Sequence, residues 1–235
     1  MSKFMRRTVT WLVLLPVLLA AGLYWFALPT AKLWLTTAGG YASGVDLSID
    51  HIELEYRPWP LLASAPAVLY LSGVDIANPP GFEAPKFMAI RRIDVHFTPA
   101  SLGDDPIVLS EVTLHGVSLN LERRELVSNA GIIFTRLDEF EARNTLFGFG
   151  RQFVIESLVL QDGAAQITHT RTLGSRGQLA VNFRDRPHYR IAAAENGVGP
   201  TRLLYEVIDR VVSDALVRVA REGEARRELE AGLSD

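Results

Sequence analysis

The sequence has no cysteine among its 235 residues. This absence excludes thiol catalysis, a disulfide framework and thiolate metal sites, and it is compatible with any redox compartment. Common enzyme motifs are missing too: there is no G-x-S-x-G elbow, no H-E-x-x-H, no phosphate loop ending in Lys-Ser or Lys-Thr, and no G-x-G-x-x-G. We therefore expect a protein that is not an enzyme and that has no catalytic residue, cofactor or metal.

Charge is absent from residues 8–28, TVTWLVLLPVLLAAGLYWFAL. A helix of that length rises roughly 30 Å, enough to cross the apolar core of a bilayer. Three basic residues precede the segment and only Lys32 follows closely, which orients the N-terminus to the cytoplasm and the body across the membrane. We predict a single-pass anchor whose partner is the phospholipid bilayer. A signal peptide cleaved near Ala20-Ala21-Gly22 is the alternative.

Basic residues are scarce in the rest of the chain. Residues 36–235 contain 20 Lys and Arg against 27 Asp and Glu, although the whole chain has a formal charge of only −3. Binding to a nucleic-acid backbone needs clustered Lys and Arg, so we expect no nucleic-acid partner.

The sequence does contain a repeated short phrase: an apolar residue, two variable residues, then apolar residues at every second position. Its five copies begin at Ile49, Leu71, Ile90, Leu109 and Ile155. Period-2 alternation is typical of a β-strand with one apolar face. The alternation slips by one residue at Asp50-His51, near Gly116 and near Gly163, which indicates bulges or bends. Long bent strands and tight hairpins both fit this pattern.

Two segments break the strand rhythm. Residues 129–149 favour a short amphipathic helix at about 130–146, and Gly199-Pro200 opens a C-terminal amphipathic helix that loses its apolar stripe beyond Arg221. The expected domains are a cytoplasmic tip and transmembrane anchor (1–29), a juxtamembrane helix (30–45), a β domain (46–198) and a C-terminal helix with a polar tail (199–235).

The expected fold class is α+β. We predict an N-terminal transmembrane helix, a mostly antiparallel bent sheet of repeated strands, the inserted helix, and the C-terminal helix packing on or near the sheet. The two helices either close an ordinary core over the apolar face of the sheet or leave part of that face open as a groove. We expect a mostly covered sheet with a residual groove, since a large exposed apolar area is costly.

Residues 90–122, IRRIDVHFTPASLGDDPIVLSEVTLHGVSLNLE, resemble the core signature of AsmA-like proteins of Gram-negative envelopes. The turn Asn78-Pro79-Pro80-Gly81-Phe82 and the N-terminal anchor are similar as well, so the resemblance covers roughly residues 8–195. It implies a β-rich periplasmic body on an inner-membrane anchor, within the repeating β-groove group whose long members conduct lipid. This chain would be a short member, because about eight strands extend only about 40 Å.

We therefore predict a periplasmic protein of cell-envelope biogenesis that binds lipid acyl chains or an envelope protein on its apolar sheet face. The predicted contact residues all lie on the repeated strands: Leu54, Tyr56, Val95, Phe97, Leu114, Leu119, Leu121, Leu158 and Leu160. The alternative is a tethered adaptor that binds an envelope protein through its C-terminal helix or a sheet edge, without lipid. Open sheet edges also leave edge-to-edge oligomers open.

Ionisable residues offer a third hypothesis, a hydrolase that uses His and Asp residues on the turns. His51 with Glu53, or His96 with Asp94, would share a strand face and could hold a metal. We interpret these residues as the solvated face of strands instead. Asp104-Asp105, which precede a proline, are interpreted as turn formers rather than as an acid pair.

Overall fold

The structure is a computed structural model, and it describes most of the chain after the first 31 residues. The described residues are 32–33, 35–56, 65–144, 151–170, 176–183, 188–192 and 196–232.

Eight strands of the described chain form one sheet. They are β1 (Leu47–Glu55), β2 (Ala67–Ala77), β3 (Lys86–Phe97), β4 (Ile107–Arg124), β5 (Val127–Ser128), β6 (Phe153–Thr170), β7 (Arg176–Phe183) and β8 (His188–Ile191). The order across the sheet is β1-β2-β3-β4-β6-β7. The short β5 pairs with β4, and β8 pairs with β6 beside the half of that strand that β7 does not cover.

The sheet is mixed: six of the seven strand pairings in the described chain are antiparallel and one is parallel, and the expected fold class did not include a parallel pair. β1 to β4 form an antiparallel meander, but the two longest strands, β4 and β6, run parallel along their whole length. Leu109 pairs with Ile155, 46 residues further on, and these residues begin two copies of the repeated phrase. A helix between the two strands provides the crossover connection that parallel neighbours require.

The helices of the described chain lie before, within and after the sheet. Residues 32–43, residue 34 excepted, are helical (α1); α2 is Asn129–Asn144, α3 is Pro200–Gly232, and a 3₁₀ turn spans Pro99–Gly103. The helix expected at about 130–146 thus corresponds to α2, and α3 continues beyond the end of its apolar stripe.

The transmembrane helix of the expected fold class is not found among these helices. No helix within the described residues is both long enough and apolar enough to cross a membrane. The segment on which that expectation rested, residues 8–28, lies outside the described residues.

The strands are long and bent, and the bends lie where the apolar alternation slips: within the repeated phrase on β1, β2 and β3, and beyond it on β4 and β6. Gly73 on β2, Gly116 on β4 and Asp162 on β6 have left-handed backbone conformations, with φ values of 61°, 63° and 54°. These three residues lie in one line across the sheet with Asp50 of β1 and Arg91 of β3. Regular strand pairing is interrupted along this line. A left-handed residue reverses the side-chain alternation. Apolar residues three apart, such as those flanking each bend, therefore face the same side.

The core lies between one face of the sheet, the inner face, and the helices α2 and α3. α3 packs on β6, β7 and β8, while α2 packs on β4, β5 and α3. Ile133 and Leu137 of α2 and Val211 and Ala215 of α3 have no exposed surface. Between the helices, the ring centroids of Phe134 and Tyr205 are 4.8 Å apart.

A buried polar cluster attaches the turn after β2 to the end of β4 and the start of α2. The Glu122 carboxylate accepts hydrogen bonds from the Asn78 side chain (3.0 Å) and from the backbone N–H groups of Glu83 (2.8 Å) and Ala84 (2.7 Å). Asn129, which is fully buried, donates to the side-chain oxygen of Asn78 and accepts from the Glu122 N–H. These hydrogen bonds compensate the burial of a carboxylate.

Candidate functional site: the inner face of the sheet

The inner face is apolar along rows that cross the strands. One row joins paired residues of five neighbouring strands: Leu54, Leu69, Val95, Val112 and Leu158. Its members are unequally covered: Leu158 has no exposed surface and Val112 has 6%, whereas the three residues on β1 to β3 are only partly buried. Coverage along this row therefore falls from β6 towards β1, whereas the row of Ile49, Val74, Ile90 and Val117 is buried on all four of its strands.

The next row is also less covered on β2 and β3 than on β4 and β6, but its β1 residue, Ile52, is buried at 7% exposure. It runs through Ile52, Leu71, Ile93, Leu114 and Leu160. Leu114 and Leu160 are each 1% exposed, but Leu71 and Ile93 are partly buried. The cause lies in the helices, because α2 and α3 pack on β4 to β8 and have little contact with β1 to β3.

We name the partly covered region the apolar strip. It consists of two residues on β2, two on β3 and one on β1: Leu69, Leu71, Ile93, Val95 and Leu54. Three adjacent strands span about 10 Å, so the strip is wider than a single extended hydrocarbon chain. Phe97, also partly buried, lies two residues beyond Val95 on β3. Residues 57–64, which follow β1 in the sequence, are outside the described part.

The predicted contact residues divide between the core and the strip. Five are core residues with 7% exposure or less: Leu114, Leu119, Leu121, Leu158 and Leu160. The other four, Leu54, Tyr56, Val95 and Phe97, are partly buried. Pairing through Leu69 brings Leu54 and Val95 together.

Sequence reasoning missed three residues of the strip, Leu69, Leu71 and Ile93. The signal was present, because Leu71 and Ile93 both belong to copies of the repeated phrase. Alternation identifies the apolar face of a strand, but it does not show where a distant helix will cover that face.

Charged side chains form a network on the opposite, outer face. Asp94, 8% exposed, lies between two partners: Arg92 Nη2 donates to its Oδ2 at 2.7 Å, and His115 Nε2 lies 3.0 Å from the same oxygen. Arg92 Nε is 2.7 Å from Oδ1, although that oxygen makes no hydrogen bond of good geometry. Arg92 also lies over the Tyr70 ring, 5.5 Å from its centroid.

Tyr70 extends this network towards β1. Its hydroxyl donates a hydrogen bond to the Glu55 carboxylate at 2.9 Å. That hydrogen bond, with smaller contributions from burial and the negative charges nearby, raises the pKa of Tyr70 above its ordinary value. These contacts connect polar and charged side chains of β1 to β4 on the outer face.

Three of the ionisable residues considered as metal or acid sites, Asp94, Asp104 and Asp105, have structural partners. The Asp94 carboxylate contacts Arg92 and His115, and not His96, with which it was considered as a metal-binding pair. Asp105 accepts a hydrogen bond from the Gln152 N–H (3.1 Å), and the Asp104 carbonyl accepts one from Arg151 (3.1 Å). Within the described ranges, no group of three or more His, Asp or Glu side chains is placed to hold a metal ion.

A second polar contact holds α3 on the sheet. The Tyr189 hydroxyl of β8 donates to Asp214 Oδ1 at 2.9 Å, and Asp214 Oδ2 accepts from Arg218 Nε at 2.7 Å. Burial, together with the hydrogen bond to Asp214, raises the pKa of Tyr189 to about 12. The neutral phenol is therefore the form that this contact stabilises.

In comparisons with known proteins, no family model matches this chain, and no curated protein sequence matches it.

Proposed function

We propose that this chain is a non-enzymatic binding protein of the cell envelope, held at the inner membrane with its body in the periplasm, and that it binds a lipid acyl chain on the apolar strip. The observation that carries the proposal is the uneven cover of the inner face. Two rows of aliphatic residues are sealed beneath α2 and α3 and remain partly open over β2 and β3 and at Leu54 of β1, while Ile52 of β1 is buried.

The chemistry of the strip favours hydrocarbon. All five of its residues are Leu, Ile or Val, and the charged groups of β1 to β3 described above lie on the outer face. Each methylene removed from water contributes about 0.8 kcal/mol, so eight methylenes of an acyl chain would contribute roughly 6 kcal/mol before the cost of ordering the chain. The likeness of residues 90–122 to AsmA-like proteins supports the same class of ligand.

The experiment compares lipid bound to matched variants of the full chain. The strip variant is Leu69→Gln with Val95→Gln, and the control is Val68→Gln with His96→Gln, at the neighbouring positions that face the other side of the sheet. The chain is purified in mild detergent, and bound phospholipid is measured by native mass spectrometry and lipid extraction. Circular dichroism checks that both variants are folded.

We expect wild type and control to retain phospholipid at a fixed ratio and the folded strip variant to lose most of it. Lipid-free wild type, or a folded strip variant that retains lipid as wild type does, would contradict the proposal. The Leu114→Asp change is unsuitable for this purpose, because Leu114 is 1% exposed and its replacement would disrupt the core.

The adaptor alternative has an observation of its own. Leu216 and Val217, on the side of α3 away from its buried stripe, are each 48% exposed. Two adjacent exposed aliphatic residues are a small contact area for a partner helix. Replacing both with Gln should leave lipid binding unchanged if the strip binds lipid, and should abolish capture of an envelope protein if α3 is an adaptor.

A further inference from the structure

The two edge strands of the sheet, β1 and β7, differ in how their outer edges are covered. At the β1 edge, the helix α1 lies beside the strand, and Lys32 Nζ donates a hydrogen bond to the Asp50 carbonyl at 2.7 Å. A lysine over an edge carbonyl is one of the devices that prevent pairing with another strand. β1 is therefore a protected edge.

Within the described residues, the β7 edge has no such protection. β7 forms a ladder only with β6, and in the described part of the chain no hydrogen bond links its other edge to any group. The strand has eight residues, and residues 177–183, GQLAVNF, contain neither a charged residue nor a proline. Unpaired backbone groups along about 23 Å of uncharged strand are a template for another strand.

We propose that β7 pairs with β7 of a second copy of this chain, in antiparallel orientation, so that two sheets join into one. The proposal is independent of lipid binding. It commits to a second copy because the side-chain pattern of β7 is self-complementary. Two antiparallel copies centred on Ala180 place Leu179 of each opposite Val181 of the other, on the inner face in both chains.

The face assignments of these residues support that register. Val181 is 1% exposed and Leu179 is partly buried, so both lie on the inner face, whereas Ala180 and Asn182 are exposed on the outer face. Cross-strand pairs of aliphatic residues stabilise a sheet. The contact is also isologous, so it closes after two copies. The small side chain of Ala180 lies on the two-fold axis, where it would meet its own counterpart.

Because the chain contains no cysteine, a single introduced thiol tests this register directly. Directly opposed residues of antiparallel strands have Cα atoms about 4.5–5.5 Å apart, within the range for a disulfide. We expect full-length Ala180→Cys, in detergent under mild oxidation, to form a disulfide-linked dimer. The control is Ser118→Cys, exposed on the same outer face but on β4 in the interior of the sheet, and it should remain without a cross-link.

A charge on the axis provides the second variant. In Ala180→Lys, two lysines oppose each other, so the dissociation constant of the dimer should rise about tenfold or more, measured by light scattering with the detergent contribution subtracted. Ser118→Lys should leave it unchanged. Wild-type protein that stays monomeric at every concentration tested, or Ala180→Cys that cross-links no better than Ser118→Cys, would overturn the proposal. An extended segment of another protein would then be the occupant to seek.

Discussion

The carboxylate of Asp50 on β1 lies directly over Gly73 on β2, in the space that a side chain at Gly73 would occupy. Gly73 has a φ of 61°. Gly116 on β4 has a similar arrangement with β3, because a Cβ at Gly116 would lie 3.1 Å from Cβ of Arg91. At the bend, long side chains of one strand thus cover the glycines of the next. The bend requires glycine for backbone conformation and for space at once.

Gly73→Ala should therefore destabilise the protein by more than about 2 kcal/mol, because a left-handed conformation costs an L-residue about 1–2 kcal/mol and the new Cβ also overlaps Asp50. Urea unfolding of the full chain in detergent measures the effect. The control is Gly81→Ala, where φ is 95° but no atom lies within 4 Å of the Cβ position. Equal losses at Gly73 and Gly81, or no partial rescue of Gly73→Ala by Asp50→Ala, would show that the overlap has no energetic weight.

Replacing the carboxylate of the buried cluster should also be costly. In Glu122→Gln, one carboxylate oxygen becomes an NH2 group that faces N–H donors at 2.7–3.0 Å. Buried donors left without an acceptor cost about 1–3 kcal/mol. Thermal unfolding should show this loss, while Glu156→Gln, at an exposed position on β6, should remain within about 0.5 kcal/mol of wild type. If Glu122→Gln unfolds at the same temperature as wild type, the cluster does not stabilise this turn.

The raised pKa of Tyr189 predicts that the stability of the folded protein depends on pH in the alkaline range. The folded state holds its pKa at about 12, above the ordinary value of 10. The folded protein therefore binds the phenolic proton more tightly than the unfolded chain does. The stabilisation is complete below pH 10 and is lost as the pH rises through 12. Tyr189→Phe should flatten this part of the stability curve. If wild type and Tyr189→Phe lose stability in parallel between pH 10 and 12, the hydrogen bond to Asp214 has no such role.

The predicted contact residues should separate into two groups on truncation. Leu158 has no exposed surface, so Leu158→Ala should cost about 2–5 kcal/mol, whereas Leu54→Ala in the partly covered strip should cost clearly less. Chemical unfolding of both variants gives the comparison. A loss at Leu54 as large as that at Leu158 would place Leu54 in the sealed core and reduce the strip to β2 and β3.

The repeated phrase was the most informative feature of the sequence, and the structure explains why. Two residues between apolar neighbours mean that the strand reverses its alternation there. At Leu71 to Val74, in one copy of the phrase, this reversal is made by a left-handed glycine, and a second left-handed glycine makes the slip between Leu114 and Val117, beyond the phrase on β4. The direction of pairing was not readable in the same way. Alternation specifies the face of a strand but not the neighbour it joins, so the parallel pair of β4 and β6 was missed.

The candidate site was readable only in part for a related reason. Leu54 and Leu158 have the same pattern in the sequence and occupy the same row of the sheet. Their difference in cover is set by α3, which follows at residue 200 and packs on β6 to β8. A contact that depends on elements so distant in sequence leaves no local signal, so core and strip residues were predicted as one set.

The most direct measurement of acyl-chain binding uses a photoactivatable side chain at Val95 or at His96, adjacent residues on opposite faces of β3. The full chain is expressed with each substitution, irradiated in native membranes, purified and analysed by mass spectrometry for phospholipid adducts. Adducts at Val95 and few or none at His96 are the predicted result. Equal labelling at both positions, or labelling at neither, would contradict acyl-chain binding on the apolar strip.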